Sequence, residues 1–79
     1  MDNLEKYNQV FLNVLGISEN ELNESLIYQS VSSWDSVGHM ELIAEMEEQF
    51  GIMLETDDII DFSSYAKGKE ILNKYNITF

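Results

Sequence analysis

The run Asp35-Ser36-Val37-Gly38-His39-Met40-Glu41-Leu42-Ile43-Ala44-Glu45-Met46-Glu47-Glu48-Gln49-Phe50-Gly51 reads as one amphipathic helix with both ends marked. Leu42, Ile43, Met46 and Phe50 recur at helical spacing and define a buried stripe. Asp35 suits the N-cap, because a short carboxylate can accept an N–H that the first turn leaves without a partner. Gly51 suits the stop, because glycine takes up the left-handed conformation that closes a helix. The pattern predicts a helix over 36–50. Val37, Met40 and Ala44 form a second apolar strip beside the first. Such strips are usually core; here the expected division puts Leu42, Ile43, Met46 and Phe50 inside and the strip at the rim.

Upstream, Leu4, Tyr7, Phe11, Val14 and Leu15 also fall at helical spacing. Asp2 with Glu5 three residues on resembles a capping box. Gly16 stands where a left-handed cap belongs. A helix over 3–15 is predicted. Residues 17–34 are polar, punctuated by Ile17, Leu22, Leu26, Ile27, Tyr28, Val31 and Trp34. Ser18 can cap a short turn through Leu22. The rest reads as a long loop pinned by apolar anchors, with Trp34 packed on the bundle or against a cargo. Loops this long in small domains are often functional.

Downstream, Thr56–Asp61 reads as one short turn with Thr56 as its cap and acids in its first turn. Ser63 or Ser64 then caps a last helix over roughly 64–75, with Tyr65, Ile71, Leu72 and Tyr75 on its apolar face. Glu70 and Lys74 have the spacing of an i,i+4 ion pair. Gly68 costs that helix about 1 kcal/mol relative to Ala. Proline is absent and glycine falls only at 16, 38, 51 and 68. The expected fold is all-α, a small four-helix bundle of three main helices and one short one, forming a single domain over 1–79.

Charge narrows the function. Fifteen acids stand against four lysines and no arginine, a net charge of −11 over 79 residues. A nucleic-acid binder needs a basic stripe, and an anionic membrane surface would repel this chain. Proteins with basic patches are the favoured partners. With no cysteine and one histidine, disulfides, zinc-thiolate sites, a nucleophilic thiol and a histidine metal cluster are excluded. No apolar run is long enough to span a bilayer. The opening MDNLEKYNQV lacks the basic and apolar regions of a signal peptide, so a cytoplasmic location is expected. The sequons at Asn23 and Asn76 are then accidental.

Self-standing catalysis is not expected. Asp35, Ser36 and His39 invite a triad reading, yet neighbours on one exposed helix end lack the aim and oxyanion site that a triad needs. Asp57, Asp58 and Asp61 do not have the spacing of a calcium loop, and no metal site is expected. A serine at the start of a rigid helix is instead well placed to be modified. Val37 and Met40 beside it, ringed by Glu41, Glu45, Glu47 and Glu48, describe a greasy strip with an acidic rim, the composition of a docking surface.

Asp35-Ser36-Val37, followed by Met40-Glu41-Leu42-Ile43 and Glu47-Glu48-Gln49-Phe50, resembles an acyl carrier protein. The likeness covers nearly the whole chain and includes Leu15-Gly16-Ile17 and the long acidic loop. It implies a 4'-phosphopantetheine arm on Ser36 through a phosphodiester, with Asp35 matching the acid before the serine. Val37, Met40, Glu41, Ala44, Glu47 and Glu48 match positions of the family's partner-recognition helix. The reactive thiol would then belong to the cofactor, which accounts for a chain without cysteine. Implied partners are a phosphopantetheinyl transferase and the enzymes that load and receive acyl or aminoacyl groups, with the carrier itself a monomer and not an enzyme.

The chain departs from the family pattern in places. Val37 stands for the usual Leu, Gly38-His39 for a more acidic pair, Ser32-Ser33-Trp34 for a Leu-Gly-Ala-like run, and Glu55 for a frequent Pro. The wording from Trp34 to Met40 is more similar to specialised carriers outside primary fatty-acid synthesis. An aminoacyl or peptidyl carrier is the nearest alternative. An acidic helical adaptor without a prosthetic group is the alternative from another class. For Glu41, Glu47 and Glu48 the plain alternative is a solvated face. His39 is expected to be solvated, or else to contact the arm's phosphate when protonated.

Overall fold

Glycine ends both long helices. In the computed structural model, which describes residues 2–79, α1 (Asn3–Leu15) stops at Gly16 and α2 (Ser36–Phe50) stops at Gly51, with φ of 64° and 62°. Each glycine returns its N–H to a carbonyl of the last turn, Leu12 and Glu47 respectively. At the other ends, Asp2 accepts the Glu5 N–H and Asp35 accepts the Gly38 N–H, each at 2.8 Å. Both predicted ranges hold. Between them, a 3-10 turn over Glu19–Glu21 follows Ser18, whose N–H donates to Glu21 Oε1 at 3.3 Å.

Two shorter helices complete the chain, α3 (Thr56–Asp61) and α4 (Tyr65–Asn73). The expected cap of α3 shifts by one residue. Glu55 is the N-cap and Thr56 lies inside the helix, with no side chain capping it. Ser64 caps α4 by accepting the Lys67 N–H at 2.9 Å. α4 ends at Asn73, two residues short of the expected 75, and a turn carries the chain to Asn76 at φ 67°. Asparagine tolerates that left-handed conformation better than most residues. The turn brings the hydroxyl of Tyr75 to Asp58 Oδ2 at 2.6 Å.

The core is a single cluster. Tyr7, Val10, Phe11 and Leu15 come from α1, and Leu42, Ile43 and Met46 from α2, which packs along it. Phe62, Tyr65, Ile71 and Leu72 close it from the α3–α4 side, while Leu26 and Trp34 enter from the long loop. A fully buried Phe or Leu contributes about 2 kcal/mol each. Trp34 has no exposed surface, as its reading as a loop anchor requires. Phe50 is only half-buried, at the edge of the cluster.

Gly68 is where α4 meets the core most closely. A Cβ there would fall 2.2 Å from the Tyr7 hydroxyl and 2.4 Å from Phe62 Cζ. The Tyr7 hydroxyl is spent on the Tyr65 carbonyl. Burial, then the neighbouring Tyr65, pushes its pKa far above the usual phenol value. The glycine that weakens α4 locally is thus what lets α4 approach α1.

The predicted ion pair between Glu70 and Lys74 is not formed. Lys74 pairs with Asp58 of α3, the one ion pair among the described residues. Asp58 is nearly buried and takes bonds from both Lys74 and Tyr75, so charge compensation across α3 and α4 wins over an exposed pair worth a few tenths of a kcal/mol. Among the described residues no helix is long and apolar enough to cross a membrane.

Candidate functional site

Ser36 is the first residue of α2 and is exposed. Among the described residues its hydroxyl has no hydrogen-bond partner; the exposed Ser25, Ser32 and Ser63 share that feature, and what sets Ser36 apart is its place in the first turn of a long helix. Asp35 is held in its capping bond to Gly38, which orders the helix start. The first-turn N–H groups and the positive end of the helix dipole favour an anion beside Ser36.

The loop before Ser36 is tied down at several points. The Tyr28 N–H donates to the Ser63 carbonyl at 2.8 Å, and the Tyr65 N–H to the Leu26 carbonyl at 2.9 Å, around a single antiparallel bridge of Ile27 with Ser64. Ser33 donates its hydroxyl to the Leu15 carbonyl at 2.7 Å. The Gln29 N–H donates to the Trp34 carbonyl at 3.0 Å, with Gln29 at φ 69°. The long loop is therefore a brace that connects the end of α1, the start of α2 and the α3–α4 corner.

Beside Ser36 lies a groove of about 310 Å³ between α2 and α3. Met40 and Ile60 are its exposed walls, and His39, Ile59 and Phe62 lie along it. Among the described residues no Lys, Asp or Glu lines it. Val37, Met40 and Ile60 are each more than half exposed. Ile60 was not singled out from the sequence. The signal was the Ile59-Ile60 pair in a six-residue helix, which can turn only one of two adjacent residues inward.

His39 is neither solvated nor available to a phosphate. It is half-buried, and both ring nitrogens are engaged. Trp34 Nε1–H meets His39 Nδ1 at 3.0 Å. An indole nitrogen can only donate, so Nδ1 accepts and the ring proton sits on Nε2. Nε2–H then donates to the Ile59 carbonyl oxygen at 2.8 Å. The sequence expectation failed because both partners lie outside the helical repeat that sequence patterning reads.

The expected docking residues divide. Val37, Met40, Glu41, Ala44 and Glu48 are exposed on one face of α2. Glu47 is half-buried and its carboxylate accepts the Leu54 N–H at 2.8 Å, bracing the segment after α2. Asp35 is exposed, with its carboxylate in the cap. No group of three or more potential metal ligands occurs among the described residues.

The family model for the phosphopantetheine attachment site matches residues 9–67. An acyl carrier protein of Nitratidesulfovibrio vulgaris (strain DSM 19637 / Miyazaki F) is 32% identical over 72 residues, covering 84% of this chain and 95% of the relative. The chain belongs to the acyl carrier protein family. No solved structure matches it. The prosthetic group of this carrier family is phosphopantetheine. The site fits such a group: an exposed hydroxyl without a partner, at a helix start that favours a phosphodiester, opening onto an apolar groove.

Proposed function

We propose that the chain holds acyl groups on 4'-phosphopantetheine attached to Ser36 and presents them in turn to partner enzymes. The observation that carries this reading is the place of Ser36, exposed in the first turn of α2 and opening onto the groove. In the modification, the Ser36 Oγ–P bond forms as the pyrophosphate P–O bond of coenzyme A breaks. The adenosine bisphosphate leaves, and the hydroxyl proton passes to a base of the transferase. When attached, the group supplies a thiol that carries the acyl cargo as a thioester. The protein contributes a rigid helix start, a favourable dipole for the phosphodiester and an acidic face for docking.

An acyl cargo is favoured over an aminoacyl one. The groove offers apolar side chains and no carboxylate to pair with an ammonium. Val37, Met40 and Ile60 supply an apolar patch, with Glu41, Glu48, Asp57 and Asp61 exposed around α2 and α3. Basic faces of a phosphopantetheinyl transferase and of acyl-transfer enzymes complement that arrangement. The Trp34-to-Met40 wording favours a pathway outside primary fatty-acid synthesis, and the acidic, cysteine-free composition suits a cytoplasmic carrier.

Intact mass before and after incubation with coenzyme A and a broad-specificity transferase tests the reading. A gain of one phosphopantetheine on the wild type and none on Ser36→Ala is expected. No gain, beside a control carrier that is modified, overturns the reading in favour of an adaptor without a prosthetic group.

A further inference from the structure

We propose that His39 is a strut that closes the helical interior to the cargo, so that the acyl group stays in the surface groove beside Ser36; this rests on the carrier reading above. α3 has six residues, too few to hold a helix by its own hydrogen bonds. Its neighbours must hold it. On one side Asp58 is tied to Lys74 and Tyr75. On the other, His39 Nε2–H satisfies the Ile59 carbonyl, one of the four that the end of a helix leaves without an internal partner.

The groove lies between the two helices that this bond joins. A chain passing below its floor would have to part α3 from α2. That breaks the His39–Ile59 bond and leaves a donor and an acceptor unsatisfied in a partly buried place. The space behind is also taken. Trp34 lies 17° from parallel with the His39 ring, bonded to its far nitrogen, and packs edge-on against Phe11 at 5.6 Å. Phe62 meets His39 edge-on at 6.3 Å between centroids. His39 and Phe62 thus line the groove, and Trp34 and Phe11 fill the space behind them. Because His39 bonds Trp34 and Ile59 at once, its ring ties α3 to the buried tryptophan. His39 is a positioning residue, acting on the cargo through the placement of α3.

The test uses the modified protein loaded with straight-chain acyl groups from acetyl to octanoyl, with loading verified by intact mass. Readouts are the rate of thioester hydrolysis and the methyl resonances of Leu42 and Met46. In the wild type, hydrolysis rates should agree within about twofold across the series, whereas in His39→Ala the octanoyl thioester should be protected about fivefold or more relative to acetyl. His39→Gln, which retains one donor and one acceptor, should restore wild-type behaviour. An octanoyl thioester already protected in the wild type, with shifted Leu42 and Met46 methyls, overturns the proposal even if His39→Ala does not fold. So does a folded His39→Ala with no chain-length dependence. A chain that gains no phosphopantetheine at all overturns the carrier reading instead, and this inference with it.

Discussion

A Cβ placed on Gly38 would lie 1.9 Å from the carbonyl oxygen of Ser33. The first turn of α2 and the loop before it therefore touch backbone to backbone, two residues from Ser36. Ser33 cannot easily retreat, because its hydroxyl is bonded to the Leu15 carbonyl. Gly38→Ala would gain about 1 kcal/mol in helix propensity. Displacing the loop should outweigh that gain, for a net loss of about 1–2 kcal/mol. Urea unfolding should show the loss, and phosphopantetheinylation of the folded variant should slow because the helix start has moved. An unchanged urea midpoint would show that the loop yields freely.

Gly68 sets the same conflict inside the core. Ala is the better helix former, yet its methyl would meet Phe62 and the Tyr7 hydroxyl. Phe62 is fully buried and Tyr7 is held by the Tyr65 carbonyl, so neither has room to yield. Gly68→Ala should destabilise by about 1–3 kcal/mol, as overpacking does. Thermal unfolding measures it, and a stabilised variant would refute the close approach of α4 to α1.

Asp58 should make the fold acid-sensitive. The bond from Lys74, then that from Tyr75, holds its carboxyl below the usual range. A depressed folded value means that its contribution is present above the unfolded pKa, about 3.9 for Asp. It is lost as pH falls through the folded value. Protonating the other carboxylates relieves repulsion and acts in the opposite direction. The informative quantity is therefore the difference in melting temperature between wild type and Asp58→Asn. It should be largest near neutral pH and shrink in acid. A difference independent of pH would mean that the Lys74 pairing adds nothing.

Salt should act with opposite sign on docking and on folding. An acidic face loses its reach for a basic partner as screening rises, while a chain of charge −11 repels itself less. Transfer to a partner enzyme should slow with added salt while the melting temperature rises. Glu48→Lys should slow transfer at low salt without a change in stability, since Glu48 is exposed. Glu47→Lys should slow transfer and also loosen the fold, because Glu47 braces the Leu54 N–H. Equal melting temperatures for the two variants would deny Glu47 its structural part.

Helices 3–15 and 36–50 were legible as written because their signals are local. Asp2 and Asp35 act on N–H groups three residues away, and Gly16 and Gly51 close the turns they follow. The position of Ser36, and its likeness to a modified serine, came from the same short stretch. Periodicity and capping report on neighbours within about four residues and on nothing further. The two bonds of His39, the pairing of Asp58 with Lys74, the brace from Glu47 to Leu54 and the bridge of Ile27 with Ser64 all depend on which segments meet. Packing chooses those partners, because a polar group taken out of water must bond to whatever the fold sets beside it. Sequence alone thus placed the two long helices and set Ser36 at the start of the second, and tertiary contact turned a solvated-looking histidine into a bonded link between α2 and α3.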